Sequence, residues 1–455
     1  MLFERMESKG LAHYSYLIGD QREAMVIDPR RDCEAYVERA HGEGTRIKYI
    51  LETHRHEDYV IGSPELARRT DAEIWHADGQ LDYLYGHSVE DGQTWNVGRL
   101  QIQAIHSPGH TPGSMSYLLR DPGGEPWMVF TGDALFAGDV GRVDLLGMDR
   151  AEEMAGLLYD TIFNRLLPLG DEVIVCPAHG AGSVCGTAIA ERMWTTIGLE
   201  RRLNPKLQFM DEAQFVAHVA QVARELERPP YFRLMEKYNV EGAPLLPSVL
   251  ALAPLSPGEF AREQEEALVV DTRSELGFAS AHVPGSLFIW VGGLAGFAGW
   301  FLPHDMPILL VSGEENPVQV TRYLLRLGYD DLAGYLAGGM LAWHTAGLES
   351  GATRTVTVQQ LCFLLDEGEE TSILDVRSEE ELEKAGSIPG AQHIHITQLP
   401  EHLDEVPQDR TVYIFCGSGL RSTLAASLLQ RAGWRDLVVV LGGLAGWNSV
   451  TCALE

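Results

Sequence analysis

Short apolar runs alternate with polar, glycine-containing breaks along the first half of the chain, the pattern of buried strands joined by loops. Strands are expected over 14–18 and 24–28, with a polar turn at Gly19-Asp20-Gln21-Arg22, and again over 47–51, 73–76, 100–105, 127–130 and 172–175. Helices are expected over 63–69, with Ser63 as N-cap, over 151–167, and over 211–228. The last carries Phe215, Val219, Val222 and Leu226 on one stripe and stops at Pro229-Pro230. Residues 242–247 read as a linker out of the first domain.

Polar residues with metal-ligand chemistry recur where these strands end. The run 47–51 leads into Thr53-His54-Arg55-His56-Glu57-Asp58-Tyr59. Two histidines and an aspartate spaced by two cannot share one helix face, but a loop after a strand can turn them toward one point. Ser107-Pro108-Gly109-His110, Thr131-Gly132-Asp133 and Pro177-Ala178-His179 follow later strands in the same way. Four strand ends thus offer ligands to one edge of a sheet assembly.

Beyond the linker the pattern repeats. Asp271-Thr272-Arg273 returns as Asp375-Val376-Arg377, Gly338-Gly339 as Gly442-Gly443 and Trp343 as Trp447, each at a spacing of 104 residues. Two copies of one α/β domain with a parallel sheet follow, giving domains over 1–245, 246–352 and 353–455. In the second copy a strand over 411–415 ends in Cys416-Gly417-Ser418-Gly419-Leu420-Arg421 and a helix over 423–431. Backbone N–H groups and the positive helix end at such a loop favour thiolate, so Cys416 is expected to be a nucleophile. The first copy has Ser312 at the equivalent place, in Ser312-Gly313-Glu314-Glu315-Asn316-Pro317, and is expected to be silent.

Composition narrows the function classes. A 455-residue chain exceeds one core and suggests about three domains. Hydrophobic and charged contents of 45% and 22% are those of a globular protein. A formal charge of −30 opposes binding to nucleic acid or anionic lipid. Six cysteines without a CxxC pair make no disulfide framework, and the charged start lacks a signal-peptide pattern; both fit a reducing cytoplasm. The uncharged stretch 283–303 is as long as a membrane span, but its five glycines and bracketing prolines place it in a buried or interface-forming loop and short helix.

The four strand-end motifs, in this order, are similar to those of the metallo-β-lactamase superfamily, which implies an αββα sandwich. Tyr59 replaces the final histidine of the usual HxHxDH motif, which weakens the case for a second metal. The layout most resembles the persulfide dioxygenase branch. That resemblance implies one Fe(II) per chain held by His54, His110 and Asp133, with His56, Asp58 and His179 supporting them. It further implies that Arg142 takes a carboxylate or phosphate of the thiol carrier; Cys185, close in sequence to His179, is read either as a contact or transient acceptor of sulfane sulfur or as an inert thiol. The loop from Cys416 to Arg421 resembles that of rhodanese sulfurtransferases, with Gly417, Ser418 and Gly419 lining it. A fusion of the two activities is implied, acting on a low-molecular-weight persulfide, O2 and sulfite or thiosulfate as a homo-oligomer. The competing implication is a binuclear zinc thioester hydrolase of the glyoxalase-II kind joined to a sulfur carrier.

Overall fold

The computed structural model describes every residue except 210, 225, 248–250, 314–316, 369, 370, 448, 451, 453 and 455. Contacts divide it into two compact units, Met1–Ser248 with Leu324–Gly328, and Val249–Tyr323 with Tyr329–Glu455.

The first unit holds two six-stranded sheets. One contains β1 (Leu2–Ser8), β2 (His13–Asp20), β3 (Glu23–Ile27), β4 (Arg46–Leu51), β5 (Glu73–His76) and β6 (His87–Ser88), in that order. The other runs from β7 (Thr94–Val97) through β8 (Leu100–His106), β9 (Met115–Arg120), β10 (Pro126–Gly132) and β11 (Ile174–Pro177) to β12 (Thr195–Thr196). Apolar residues on the inner faces of both, including Tyr16, Ile27, Leu51, Ile102, Tyr117 and Phe130, form one buried cluster. On the outer faces, Tyr36 and Leu66 from two helices pack on the first sheet, while Met154, Leu158, Phe215 and Val219 pack on the second. The result is a helix–sheet–sheet–helix sandwich whose alternating strands bury both faces.

Several boundaries differ from those expected. Strand β1 is not among the strands expected from the sequence; three of its seven residues, Glu4, Arg5 and Glu7, are charged and break the apolar alternation, while Leu2, Met6 and Ser8 are buried as it pairs along β2. Ser63 is the first residue of helix Ser63–Thr70 rather than its cap, which is Gly62. The helix expected over 211–228 spans Glu212–Ala223, with the Asp211 carboxylate accepting from the Ala213 N–H at 2.9 Å. The helix from Ala151 ends its regular turns at Asp160 and continues as a wider turn through Leu166.

The second unit holds two five-stranded sheets of the same design. The first has β13 (Pro254–Leu255), β14 (Leu268–Asp271), β15 (Leu287–Phe288), β16 (Ile308–Val311) and β17 (Leu332–Leu336), ordered β13-β17-β16-β14-β15. The second has β18 (Arg354–Thr357), β19 (Ser372–Asp375), β20 (Gln392–His393), β21 (Val412–Phe415) and β22 (Leu437–Leu441), ordered β18-β22-β21-β19-β20. All their strand pairs are parallel, as the repeat implied. The uncharged stretch 283–303 becomes β15, one tight turn and the helix Leu294–Phe301. Among the described residues no helix is long and apolar enough to cross a membrane.

One cysteine expectation is corrected. Cys362, on helix Val358–Asp366, and Cys452, near the C-terminal end, are joined as a disulfide across 90 residues of sequence. Their sequence positions carry no sign of this, because the pairing is made by the tail folding back onto the helix.

Candidate functional site

The loop after β4 and the segments after β8, β10 and β11 meet at one end of the two sheets of the first unit. Local backbone contacts tie them: the Met115 N–H donates to the Thr53 carbonyl at 2.7 Å and the Ala178 N–H to the Gly132 carbonyl at 3.0 Å. Gly132 has φ +52°, and a Cβ there would sit 2.7 Å from Thr53 Oγ1 and 3.4 Å from His54 Nδ1. Only glycine lets the Thr131-Gly132-Asp133 turn approach the histidine loop so closely.

His54, His110 and Asp133 are all buried. His54 Nε2 and His110 Nε2 lie 3.8 and 3.5 Å from Asp133 Oδ2. Their ring orientations are fixed from behind. Thr53 Oγ1 donates to Asp28 Oδ2 at 2.8 Å, so its lone pair accepts from His54 Nδ1 at 2.9 Å. His110 Nδ1 donates to the Arg142 carbonyl at 2.9 Å. In each ring the proton therefore belongs on Nδ1, and Nε2 is left with a free lone pair aimed at Asp133. Both Nε2 atoms are buried with no hydrogen-bond partner. Two imidazole lone pairs and a carboxylate converging in a buried pocket fit a metal ion.

The electrostatics agree. Burial pushes His54 well below the usual histidine value, with His56 adding to it. Burial acts the same way on His110, but Glu57 and Asp133 outweigh it and raise that residue. Burial opposes the charged form of Asp133, yet His179, His54 and His110 hold its carboxyl far below the usual range. The pocket is thus acidic and favours a cation.

The other expected residues occupy a second layer. His179 donates from Nδ1 to Asp133 at 2.8 Å and from Nε2 to Asp58 at 2.9 Å. Both its nitrogens are engaged, and despite burial the two carboxylates raise it well above the usual value. Set between the two carboxylates, it orients Asp133. Asp28 holds Thr53, and its Oδ1 lies 3.1 Å from His56 Nε2, although neither ring nitrogen of His56 makes a hydrogen bond among the described residues. Tyr59 fills the place of the missing histidine, buried, with its ring 4.7 Å from that of His56 and its hydroxyl donating to the Asp28 carbonyl at 3.4 Å.

Two residues change the expected picture. Glu57, passed over as a spacer within the motif, is buried; its carboxylate comes within 3.7 Å of His110 Nε2 and lies in one cluster with His54 and His110. Its position in the motif was the only available signal. Arg142 is not at an open mouth: it is buried, its guanidinium makes a bidentate pair with Asp144 at 2.8 and 2.7 Å, and it also donates to the Val184 carbonyl. Its contribution to the site is its carbonyl, which fixes His110. Cys185 does reach the site, its sulfur within 4.8 Å of ligand atoms of His110 and Asp133. Burial, then Asp58 and Asp133, push its thiol well up. His76 and His106, which match no motif, are structural: His76 stacks on Tyr83 at 3.7 Å and His106 bonds the Pro112 carbonyl.

The last domain builds a second site. Cys416 follows β21, is buried, and its sulfur accepts from the Gly419 N–H at 3.1 Å and the Ser422 N–H at 3.4 Å, at the start of helix Leu420–Arg431. The Gly442-Gly443 segment clamps the loop: the N–H groups of Gly442, Leu444 and Ala445 donate to the carbonyls of Ser418, Cys416 and Gly417. A Cβ on Gly443 would fall 2.1 Å from the Cys416 carbonyl oxygen. The loop N–H groups are thereby directed inward, toward the sulfur. Arg421 pairs with Glu381 through two contacts of 2.6 Å. In the first copy Ser312 occupies the cysteine position; Glu314 and Glu315 lie outside the described residues.

The comparisons with known proteins divide the chain at the same places as its chemistry. The family model described as "Metallo-beta-lactamase superfamily" matches residues 9–179, and "Rhodanese-like domain" matches 256–346 and 357–450. "Persulfide dioxygenase ETHE1, mitochondrial" of Bos taurus is 31% identical over 218 residues, spanning 46% of this chain and 76% of that protein. "Hydroxyacylglutathione hydrolase GloC" of Haemophilus influenzae is 28% identical over 214 residues, spanning 42% of this chain and 91% of its own. A crystal structure of a metallo-β-lactamase from Staphylococcus aureus superposes with a TM-score of 0.66 at 31% identity, covering 74% of this chain and 98% of that one. The chain belongs to the metallo-β-lactamase superfamily, as a member whose first domain resembles the ETHE1 persulfide dioxygenases and is followed by two rhodanese-like domains.

Proposed function

We propose that the protein removes sulfane sulfur in two steps, with domains over 1–245, 246–352 and 353–455. The first domain oxidises a low-molecular-weight persulfide of glutathione or coenzyme A: RSSH, O2 and H2O give RSH and sulfurous acid, which ionises to sulfite. The last domain, through Cys416, transfers sulfane sulfur to sulfite to give thiosulfate or runs the reverse. The middle domain is catalytically silent.

The observation that carries this reading is the pair of bare, buried Nε2 lone pairs facing Asp133. His54, His110 and Asp133 would hold one Fe(II), which would supply the redox chemistry that brings a sulfur ligand and O2 together. Thr53 and the Arg142 carbonyl keep the two rings in the binding tautomer. His179 orients Asp133 and, between Asp133 and Asp58, is placed to hold or release a proton at Nε2. The buried walls keep bulk water from the reactive sulfur, and the Cys185 thiol, within 4.8 Å of ligand atoms of His110 and Asp133, supports a contact with that sulfur. At the second site the inward N–H groups of Gly419 and Ser422 stabilise the Cys416 thiolate and its persulfide.

The relationship to GloC supports a second reading, zinc thioester hydrolysis. That chemistry calls for a second metal: Asp58, His179 and Cys185 bring ligand atoms within 4.8 Å of one another, but Tyr59 offers no imidazole where the usual motif has its last histidine. Anaerobic purification followed by metal analysis and O2 uptake with glutathione persulfide separates the two. Stoichiometric iron, with persulfide-dependent O2 uptake that vanishes in His110→Ala, is expected. Two zinc ions per chain with thioester cleavage and no O2 uptake would establish the hydrolase instead. For the last domain, Cys416→Ser leaves O2 uptake intact and shifts the product from thiosulfate to sulfite.

A further inference from the structure

The sulfur loop of the last domain carries one cation, Arg421, and that cation is not free. Its two terminal nitrogens each contact a different oxygen of Glu381 at 2.6 Å, and the carboxylate is itself held by the Ser378 N–H at 3.0 Å. The pair sits directly over the loop: a Cβ on Gly417 would lie 3.1 Å from an Arg421 nitrogen and 3.5 Å from a Glu381 oxygen. Arg421 and Glu381 are both partly shielded, with 20% and 33% of their side chains exposed.

The internal repeat supplies an independent observation. The two copies agree at the buried Asp271-Arg273 and Asp375-Arg377 pairs, and at the helix caps Ser274 and Ser378. Where the second copy has Glu381 and Arg421, the first has Gly277 and Pro317. Both partners are absent where the cysteine is absent, while the structural pair is kept. A carboxylate needed only to cap its helix would have no reason to follow the cysteine.

We propose that Glu381 is a positioning residue that neutralises Arg421 and so sets the charge selectivity of the Cys416 site, disfavouring small dianionic sulfur donors relative to organic persulfides. This rests on the sulfurtransferase reading of the last domain. With thiosulfate, the Cys416 thiolate attacks the outer sulfur, a new S–S bond forms, the old one breaks and sulfite leaves with the electron pair. With an organic persulfide RSSH the same attack on the terminal sulfur expels RS⁻, and the proton remains on the transferred sulfur. The two donors differ at the loop mouth: one brings two negative charges there, the other need bring none. A guanidinium already paired in a planar, bidentate fork offers the dianion little.

The test uses the full-length protein and Glu381→Gln. Glutamine preserves the helix cap, as Gln360 already does in the equivalent capping box with Thr357. It removes the charge that holds Arg421. Sulfur transfer to cyanide, which takes the sulfur as thiocyanate and returns the Cys416 thiolate, is measured with thiosulfate and with 2-hydroxyethyl persulfide, a donor with a neutral carrier. The ratio of kcat/KM for thiosulfate over the persulfide is expected to rise by about tenfold in Glu381→Gln, chiefly through a lower KM for thiosulfate. Adding Arg421→Gln to that variant abolishes the gain. Wild-type turnover with a ratio unchanged by Glu381→Gln overturns this inference alone and leaves Glu381 a helix cap. Wild-type inactivity with both donors overturns the sulfurtransferase reading and the inference with it.

Discussion

Thr53→Val tests whether the metal pocket is set from behind. The substitution keeps the shape of a fully buried side chain and removes one hydroxyl, which donates to Asp28 at 2.8 Å and accepts from His54 Nδ1 at 2.9 Å. Asp28 retains the Thr53 backbone N–H at 2.8 Å, so the loop keeps its anchor. What is lost is a buried hydrogen bond to a carboxylate and the acceptor for a ring N–H, about 1–3 kcal/mol of stability in the metal-free protein. The unsatisfied ring has one remedy: moving its proton to Nε2, which faces Asp133 at 3.8 Å. That remedy removes the lone pair the metal needs. Metal affinity should therefore fall by about 10- to 100-fold, as for other residues that orient a ligand histidine. Competition against a chelator series gives the affinity, and denaturant midpoints of metal-free protein give the stability. Thr53→Ser, which keeps the hydroxyl, should recover most of the affinity. A Thr53→Val protein that loses stability but binds metal within twofold of wild type would refute the tautomer argument.

Three further outcomes are expected. Gly443→Ala should cripple sulfur transfer while sparing persulfide-dependent O2 uptake, because its Cβ collides with the Cys416 carbonyl and displaces the loop; the paired activity assays read both. Thiol titration of unfolded, unreduced protein should find four reactive cysteines and two more after reduction, and Cys362→Ser with Cys452→Ser should lower the unfolding free energy of the last domain by about 2–4 kcal/mol in denaturant titration, since the bond closes a 90-residue loop. The Glu381 carboxyl, working against burial, is held down at about 2 by Arg421 and the Ser378 N–H, from an ordinary 4.5. Its folded value is depressed, so its stabilisation is fully present above about pH 4.5 and is lost as pH falls toward 2. The stability difference between wild type and Glu381→Gln should shrink across that window, as followed by acid unfolding monitored at Trp447 and Trp434.

What the sequence disclosed depended on whether the signal was local. A strand that ends in His or Asp beside glycine is a local event, so the ends at His54, His110, Asp133 and His179 were all readable, as was the Cys416 loop. The repeat was readable because the positions that cannot vary, such as Gly443 packed against Cys416, return at a fixed spacing. Non-local partnerships were not. Strand β1 is legible only once β2 provides an edge to pair with, and Cys362 meets Cys452 only when the tail has folded back. Arg142 illustrates the same limit inside the site. Its sequence neighbourhood suggested a cation awaiting an anion, but Asp144, two residues on, meets it in a fork, and the useful atom is its carbonyl.

Glu57 and Glu381 sharpen the point about what a motif leaves out. Each lies outside the residues that define a pattern, and each puts a carboxylate against a pattern residue: Glu57 against His110, Glu381 against Arg421. The effects have opposite sense. At the first site an additional buried anion strengthens the demand for a cation between the two histidines. At the second an anion cancels the one cation at the loop mouth. The two sites of the chain therefore differ in the charge they present to sulfur. In the proposed sequence the first site would hold a metal ion for the persulfide, and the second steadies sulfur on Cys416 with the N–H groups of Gly419 and Ser422. In that sequence Cys416 is expected to load from an organic persulfide more readily than from thiosulfate, because Glu381 already occupies Arg421.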